Sequence, residues 1–79
     1  MKITIRDRNH ISYLLALNFI CTFVESPRGL DAVFECSPEL DQANKDYLHN
    51  SLIPVQSFVT ASRYVSDQIK AYRIRGAAL

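Results

Sequence analysis

Two short runs of β-branched and aromatic residues, separated by a turn that contains proline and glycine, constrain the fold of this chain most strongly. The runs are residues 19–25 and 31–36, and Ser26-Pro27-Arg28-Gly29-Leu30 lies between them. Runs of this composition on either side of such a turn predict a β-hairpin with a loop of four or five residues. We therefore expect an antiparallel sheet built around this hairpin.

Pairing Ser26 with Asp31 predicts which residues of the hairpin face each other, because side chains alternate between the two faces of a strand. On the apolar inner face this register gives two facing pairs, Phe23 with Phe34 and Cys21 with Cys36. On the outer face it leaves three apolar residues that a core on one side of the sheet does not cover: Ile20, Val24 and Val33. These three form a predicted self-association face.

The first part of the chain predicts a strand and a helix. Residues 1–6 alternate, with Ile3 and Ile5 on one face and three polar side chains on the other: Lys2, Thr4 and Arg6. Asp7 or Asn9 can cap a helix that continues to about Leu17, and Asn18 is a suitable left-handed stop. The polar strand face can protect an exposed sheet edge.

The part after the hairpin predicts two more helices. Ser37-Pro38-Glu39 is a typical helix start, and the helix then carries a predicted apolar stripe: Leu40, Ala43, Tyr47 and Leu48. Asn50 is its expected end, and residues 52–55 are expected to pack against the body as a connection. Ser57 is the expected cap of the last helix, which runs to about Arg73 with a second apolar stripe: Phe58, Ala61, Val65, Ile69 and Tyr72.

These elements predict a single α+β domain over residues 1–79 with the order β-α-β-β-α-α. The crossover through the first helix makes the first two strands parallel, and the return strand of the hairpin then lies between them, antiparallel to both. The result is a three-stranded sheet with the helices packed on one face. The sequence contains no internal repeat or linker that would divide it.

No arrangement of reactive residues predicts catalysis or metal binding. Cys21 and Cys36 lie on a predicted core face, His10 and His49 have no zinc-knuckle spacing relative to them, and the chain has only 2 glycines, too few for a phosphate loop. A thiol on an apolar sheet face also lacks the electropositive, accessible setting of a nucleophile. We expect no catalytic residue, no metal, no cofactor, no small-molecule substrate and free thiols.

The basic residues leave open a role in nucleic-acid binding. The net charge is only +1, but acidic residues dominate the middle of the chain and basic residues its two ends. Six cations are candidate contacts to nucleic acid or to a protein partner: Lys2, Arg6, Arg63, Lys70, Arg73 and Arg75. The acidic middle, in turn, is suited to a basic protein partner.

The chain shows no segment typical of a membrane protein or a secreted protein. The longest strongly apolar run, residues 13–17, is far shorter than the ~20 residues of a membrane span. Asp7 interrupts the basic residues that precede it, so the N-terminal region does not read as a signal peptide. Two cysteines are also too few for the disulfide framework of a small secreted domain. We expect a cytoplasmic protein.

Several segments together resemble a known family. They are Tyr13-Leu14-Leu15-Ala16 with Phe19, Ala32-Val33-Phe34-Glu35, Ser37-Pro38-Glu39-Leu40, and then Tyr47, Asn50, Val55, Phe58 and Arg63. Between Ser12 and Ile69 the chain resembles an uncharacterised domain-of-unknown-function family of small phage and bacterial proteins, although Asn18 stands where members often have glycine. The resemblance implies a cytoplasmic accessory protein of phage or mobile-element type and supplies no catalytic residue.

Two functional hypotheses follow from the sequence. The first is a non-enzymatic accessory protein that acts through protein-protein interaction, as a homodimer or with a host or phage protein. The second is a small nucleic-acid-binding protein that uses the basic C-terminal helix. A chain of 79 residues buries only about 60% of its unfolded surface, which favours stabilisation by a partner.

Overall fold

The computed structural model describes residues 1–27, 29–49 and 52–78, with the backbone alone described for 75–78. Six elements follow one another in the predicted order: β1 (Lys2–Ile5), α1 (Arg8–Ala16), β2 (Cys21–Ser26), β3 (Gly29–Glu35), α2 (Pro38–Leu48) and α3 (Val55–Ala78). The sheet order is β1-β3-β2, and β3 is antiparallel to both neighbours. The predicted α+β class, element order and sheet topology are confirmed.

Local signals in the sequence set the ends of the first two helices. The Asp7 side chain accepts a hydrogen bond from the Asn9 amide at 3.0 Å, and Ser37 Oγ accepts one from the Leu40 amide at 3.0 Å. At the end of α1, Asn18 has a φ of 71°, and the Phe19 amide donates back to the Leu14 carbonyl. This is a Schellman motif with asparagine in the left-handed position, as the sequence predicts.

The core lies between the inner face of the sheet and the helices. Phe34 and Ala32 at the centre of β3 are 1% and 0% exposed, and Ile5 of β1 is also buried. The helices contribute the other buried apolar residues: Ile11, Tyr13, Leu14, Leu40, Ala43, Ala61 and Val65. Side chains of α1 and α3 therefore cover one face of the sheet, and the other face has no comparable cover within the described residues.

The predicted hairpin register is wrong by two residues. Ser26 is opposite Gly29, so Phe23 faces Ala32, and Cys21 faces Phe34. Only two residues separate Ser26 from Gly29, and Gly29 has a φ of 134°, which side chains rarely tolerate, so the loop is tighter than predicted. A shift of two positions leaves every side chain on its predicted face, which is why the core prediction survives the error.

The second half of the chain differs from prediction in four places. Helix α3 begins at Val55 because the Phe58 amide donates to the Pro54 carbonyl, so Ser57 is not its cap, and it continues to Ala78 rather than ending near Arg73. Leu48, predicted on the buried stripe, is 75% exposed at the end of α2. In the connection, Leu52 is 99% exposed and only Ile53 packs against the core. The predicted stop at Asn50 lies outside the described residues.

Candidate functional site

The two edges of the sheet present different surfaces. The β1 edge is four residues long, and Lys2 and Arg6 at its ends are exposed cations. The β2 edge is six residues long and contains one charged residue, Glu25, near its end. Charged residues at an edge discourage pairing with another strand, so the β2 edge is the less protected of the two.

Exposed apolar residues lie beside β2 both on the outer face of the sheet and on the helices that cover the inner face. On the outer face of the sheet, Ile20 is 88% exposed and Val24 is 45% exposed. On the helical layer, the Tyr64 ring lies 6.1 Å from the Phe23 ring and is still half-exposed. We call Ile20, Phe23, Val24 and Tyr64 the β2-edge surface.

An open groove of about 540 Å³ adjoins this surface between the end of α1 and the start of α3. Leu15, Ala61 and Tyr64 supply its apolar walls, and Asn18, Ser57 and Thr60 supply polar groups. The groove is wide and shallow, so it offers no enclosed chamber of the kind that holds a substrate. Its chemistry suits contact with another polypeptide.

A second site lies where the end of β1, the start of β3 and α3 meet. Arg6, Arg8 and Arg73 line a groove of about 320 Å³ together with Tyr72. The floor and remaining walls are Gly29, Leu30 and Ile69. A Cβ atom built on Gly29 would meet nothing within 4 Å, so Gly29 itself borders open space. We call it the arginine groove.

Two carboxylates, Asp7 and Asp31, belong to the segments that form the arginine groove. Asp7 stands between Arg6 and Arg8, but its oxygens accept hydrogen bonds from the Asn9 amide at 3.0 Å and the Tyr47 hydroxyl at 3.1 Å. Asp31 pairs with Arg6 at 3.6 Å and is largely buried. Over the described part of the chain, neither Arg8 nor Arg73 has a carboxylate within ion-pairing distance. The groove therefore keeps a positive charge.

No family model, no curated protein and no solved structure matches this chain. The function must be inferred from the surfaces themselves. The resemblance to a phage and bacterial family stays a prediction.

The structure brings only some of the predicted contact residues together. Arg6 and Arg73 meet in the arginine groove, whereas Lys2 lies on the outer sheet face in a shallow hollow with Ile20, Val33 and Glu35. Arg63 and Lys70 are exposed along α3. The side chain of Arg75 lies outside the described residues.

Sequence reasoning missed two residues of the arginine groove. Arg8 was not a predicted contact, and Tyr72 was assigned to the buried stripe of α3, although it is only half-buried at the groove wall. The Arg-Asp-Arg string at residues 6–8 was the available signal. This string predicts a positively charged site only if the Asp7 carboxylate has a partner elsewhere. The tertiary structure shows that partner, the Tyr47 hydroxyl of α2.

The histidine and cysteine residues considered for chemistry are separated. His10 stacks on Tyr47 with ring centroids 4.3 Å apart, and His10 Nε2 hydrogen-bonds with Asn44 Oδ1 at 2.8 Å. Cys21 is opposite Phe34 rather than Cys36, and burial raises the pKa of the Cys21 thiol, which makes it less nucleophilic at neutral pH. Among the described residues, no three His, Cys, Asp or Glu side chains come close enough to hold a metal ion.

The His10–Tyr47 pair belongs to a contact that attaches α2 to α1. The Tyr47 hydroxyl donates to Asp7, and the Tyr47 ring also lies 5.3 Å from the Tyr13 ring. Burial raises the pKa of Tyr47, and the hydrogen bond to Asp7 adds to the increase. These contacts are those of a packing interface between two helices.

Within the described residues, no helix combines the length and the apolar character needed to cross a bilayer.

Proposed function

We propose that this chain is a non-enzymatic interaction module that self-associates through the β2-edge surface. The observation that carries the proposal is an unprotected six-residue edge strand with exposed apolar residues on both the sheet side and the helix side. Such an edge presents backbone donors and acceptors to any strand that can lie beside it. A second copy of β2 is the occupant that fits best.

The sequence of β2 is complementary to itself in the antiparallel direction. If the two-fold axis passes beside Thr22, then Ile20 faces Val24 of the second copy, and Cys21 faces Phe23 of the second copy. At these central positions apolar residues meet apolar residues on both faces of the joined sheet, and towards each end Glu25 faces Phe19 of the second copy. The two Glu25 side chains lie at opposite ends of the pair and do not repel each other.

A stable dimer needs more buried area than strand pairing supplies, so residues of the helices must contribute to the interface. A six-residue strand is about 20 Å long, and strand pairing alone buries less than the ~800 Å² per partner of a standard interface. Tyr64, whose ring lies beside that of Phe23, extends the apolar surface beyond the strand. The adjoining groove between α1 and α3 gives room for side chains of the second copy.

The test is sedimentation at several micromolar concentrations of three proteins. The parent chain is expected at twice its 9.0 kDa mass. Val24→Lys places a charge in the β2-edge surface and is expected to give a monomer, whereas Thr4→Lys places the same charge on the exposed β1 strand and is expected to leave the dimer intact. Circular dichroism checks that both variants are folded.

A parent mass of 9.0 kDa throughout the micromolar range would contradict self-association. In that case a different protein would be the expected occupant of the β2-edge surface. Equal loss of the dimer in Thr4→Lys and Val24→Lys would place the interface on the whole outer face rather than at β2, and would contradict the register given above.

An accessory role in phage or mobile elements, and a cytoplasmic location, are part of the same proposal and rest on the resemblance of residues 12–69 alone. The engagement of His10 with Asn44 and Tyr47 and the raised pKa of Cys21 support a role without catalysis. The experiment that addresses the setting is incubation of the immobilised protein with host lysate and recovery of bound proteins, with and without nuclease. Host proteins that are lost on nuclease treatment would be held through nucleic acid, and this outcome would contradict a direct protein partner in the host.

A further inference from the structure

We propose that the arginine groove binds the phosphates of a nucleic acid strand. The groove is remote in sequence from β2, since residues of β1, α1, β3 and α3 form it. The proposal therefore goes beyond self-association and does not depend on it. Arg8 and Arg73 are its principal contacts.

The charge of the groove is the first argument. Three arginines line one opening, and Asp31, which holds Arg6, is the only carboxylate among the described residues that pairs with any of them. Arg8 and Arg73 are exposed and lack carboxylate partners among the described residues. Guanidinium groups bind phosphate oxygens through two parallel hydrogen bonds, so two free arginines suit a phosphate group well.

The shape of the groove is the second argument. Its volume of about 320 Å³ is at the lower limit of small-molecule sites and accommodates a phosphate with part of its sugar. Gly29 allows backbone to form one wall without a side chain that would block entry. Tyr72, half-buried beside Arg73, offers an aromatic ring of the kind on which a sugar or base packs.

The cations near the arginine groove favour a nucleic acid strand over a free nucleotide as the ligand. Lys70 precedes Arg73 by three residues and Arg63 precedes Lys70 by seven, so all three lie close to one stripe of α3. Arg63 and Arg73 are about 15 Å apart along the helix axis. A row of exposed cations that leads away from the groove can follow a chain of phosphates, although Asp67 interrupts it.

The experiment measures binding of a fluorescein-labelled twelve-residue oligothymidylate by anisotropy, at low and at moderate salt. The test protein is Arg8→Ala/Arg73→Ala, and Lys45→Ala is the matched control because it removes an exposed cation from α2, away from the groove. Arg6 is left in place because its loss would leave the buried Asp31 carboxylate unpaired. Circular dichroism confirms the fold of each variant.

We expect the double variant to bind at least tenfold more weakly and the control to bind within twofold of the parent. The dependence of log affinity on log salt should fall by about 0.7 for each arginine removed, as for a single-stranded ligand. In an NMR titration with the same oligonucleotide, the largest amide shifts are expected at the groove walls, at Gly29, Leu30 and Ile69.

Since Lys45→Ala removes one charge and the double variant removes two, a loss in Lys45→Ala of half the double variant's loss on a logarithmic scale would mean unspecific attraction and would overturn the proposal. So would unchanged binding in the double variant, or amide shifts confined to other regions. Thymidine monophosphate and inorganic phosphate are added as competitors. If thymidine monophosphate displaces the oligonucleotide at equal phosphate concentration, the proposal of a nucleic acid strand as the ligand would be wrong. The groove would then be a nucleotide site.

Discussion

The inner and outer faces of the sheet belong to the same three strands but differ in what covers them. On the inner face, Phe34 and Ala32 are buried beneath α1 and α3. On the outer face, Val24 and Ile20 remain exposed on either side of the polar Thr22. The inner face therefore holds the core, whereas the outer face leaves apolar side chains in contact with solvent.

Adjacent residues of β3 give the largest contrast between the faces. Phe34→Ala removes a fully buried ring and is expected to lower the free energy of unfolding by about 3–5 kcal/mol. Val33→Ala changes the next residue, which faces outward and is half-exposed, and is expected to cost less than about 1.5 kcal/mol. Urea unfolding measures both. Similar losses in the two variants would contradict the assignment of faces.

Ala32 tests how tightly the inner face is packed. It lies opposite Ile5 and Phe23 and is fully buried, so Ala32→Leu is expected to overpack the core and cost about 1–3 kcal/mol. Thr22→Leu adds a similar side chain on the exposed outer face and should change stability by no more than about 0.5 kcal/mol. A neutral Ala32→Leu would contradict tight packing of the inner face at this position.

The outer face contains one buried polar group, Asp31, which is held by Arg6. Since Arg6 is mostly exposed, Arg6→Ala is expected to cost only about 0.2–1 kcal/mol. Asp31→Asn in the Arg6→Ala background removes the unpaired charge and should recover part of this loss. A double-mutant cycle by thermal unfolding measures the pair. An additive cycle would show that the two residues do not interact.

The helical layer over the inner face should make stability sensitive to alkaline pH. The pKa of Tyr47 in the folded state is raised above 10.0, so its stabilising effect is complete below pH 10 and is lost as the pH rises through the folded-state pKa. The melting temperature should therefore decline above pH 10, and less steeply in Tyr47→Phe. Burial also raises the pKa of Tyr13. Because Tyr13 is still present in Tyr47→Phe, part of the decline in melting temperature should remain in that variant. Identical pH profiles would exclude Tyr47 as a contributor.

Most of the fold could be predicted because its signals are local. Alternation in β1, the Ser37-Pro38 helix start and Asn18 as a left-handed stop each depend on a few neighbouring residues. The hairpin register could not be predicted, because loops of two and of four residues place the same side chains on the same faces. The end of α3 was missed because its apolar stripe stops near Tyr72 while the helix continues beyond the core.

The candidate sites were predicted in part. The outward orientation of Ile20, Val24 and Val33 could be predicted because they stand at alternate positions to the core residues of their strands, and their role in self-association stays a prediction. The contact of Tyr64 with Phe23 could not be predicted, because it depends on how α3 crosses the sheet. A contact between elements so distant in sequence has no local signature.

The sequence by itself determined which segments are strands and helices, which faces are apolar, and which sheet edge is charged, because these properties depend on the order of neighbouring side chains. Tertiary structure alone decided that Arg6, Arg8 and Arg73 surround one groove and that Asp7 faces Tyr47 instead of that groove. The physical reason is that charges from separate elements sum into a site only after packing fixes their positions, and packing is governed by the apolar residues rather than by the charges themselves.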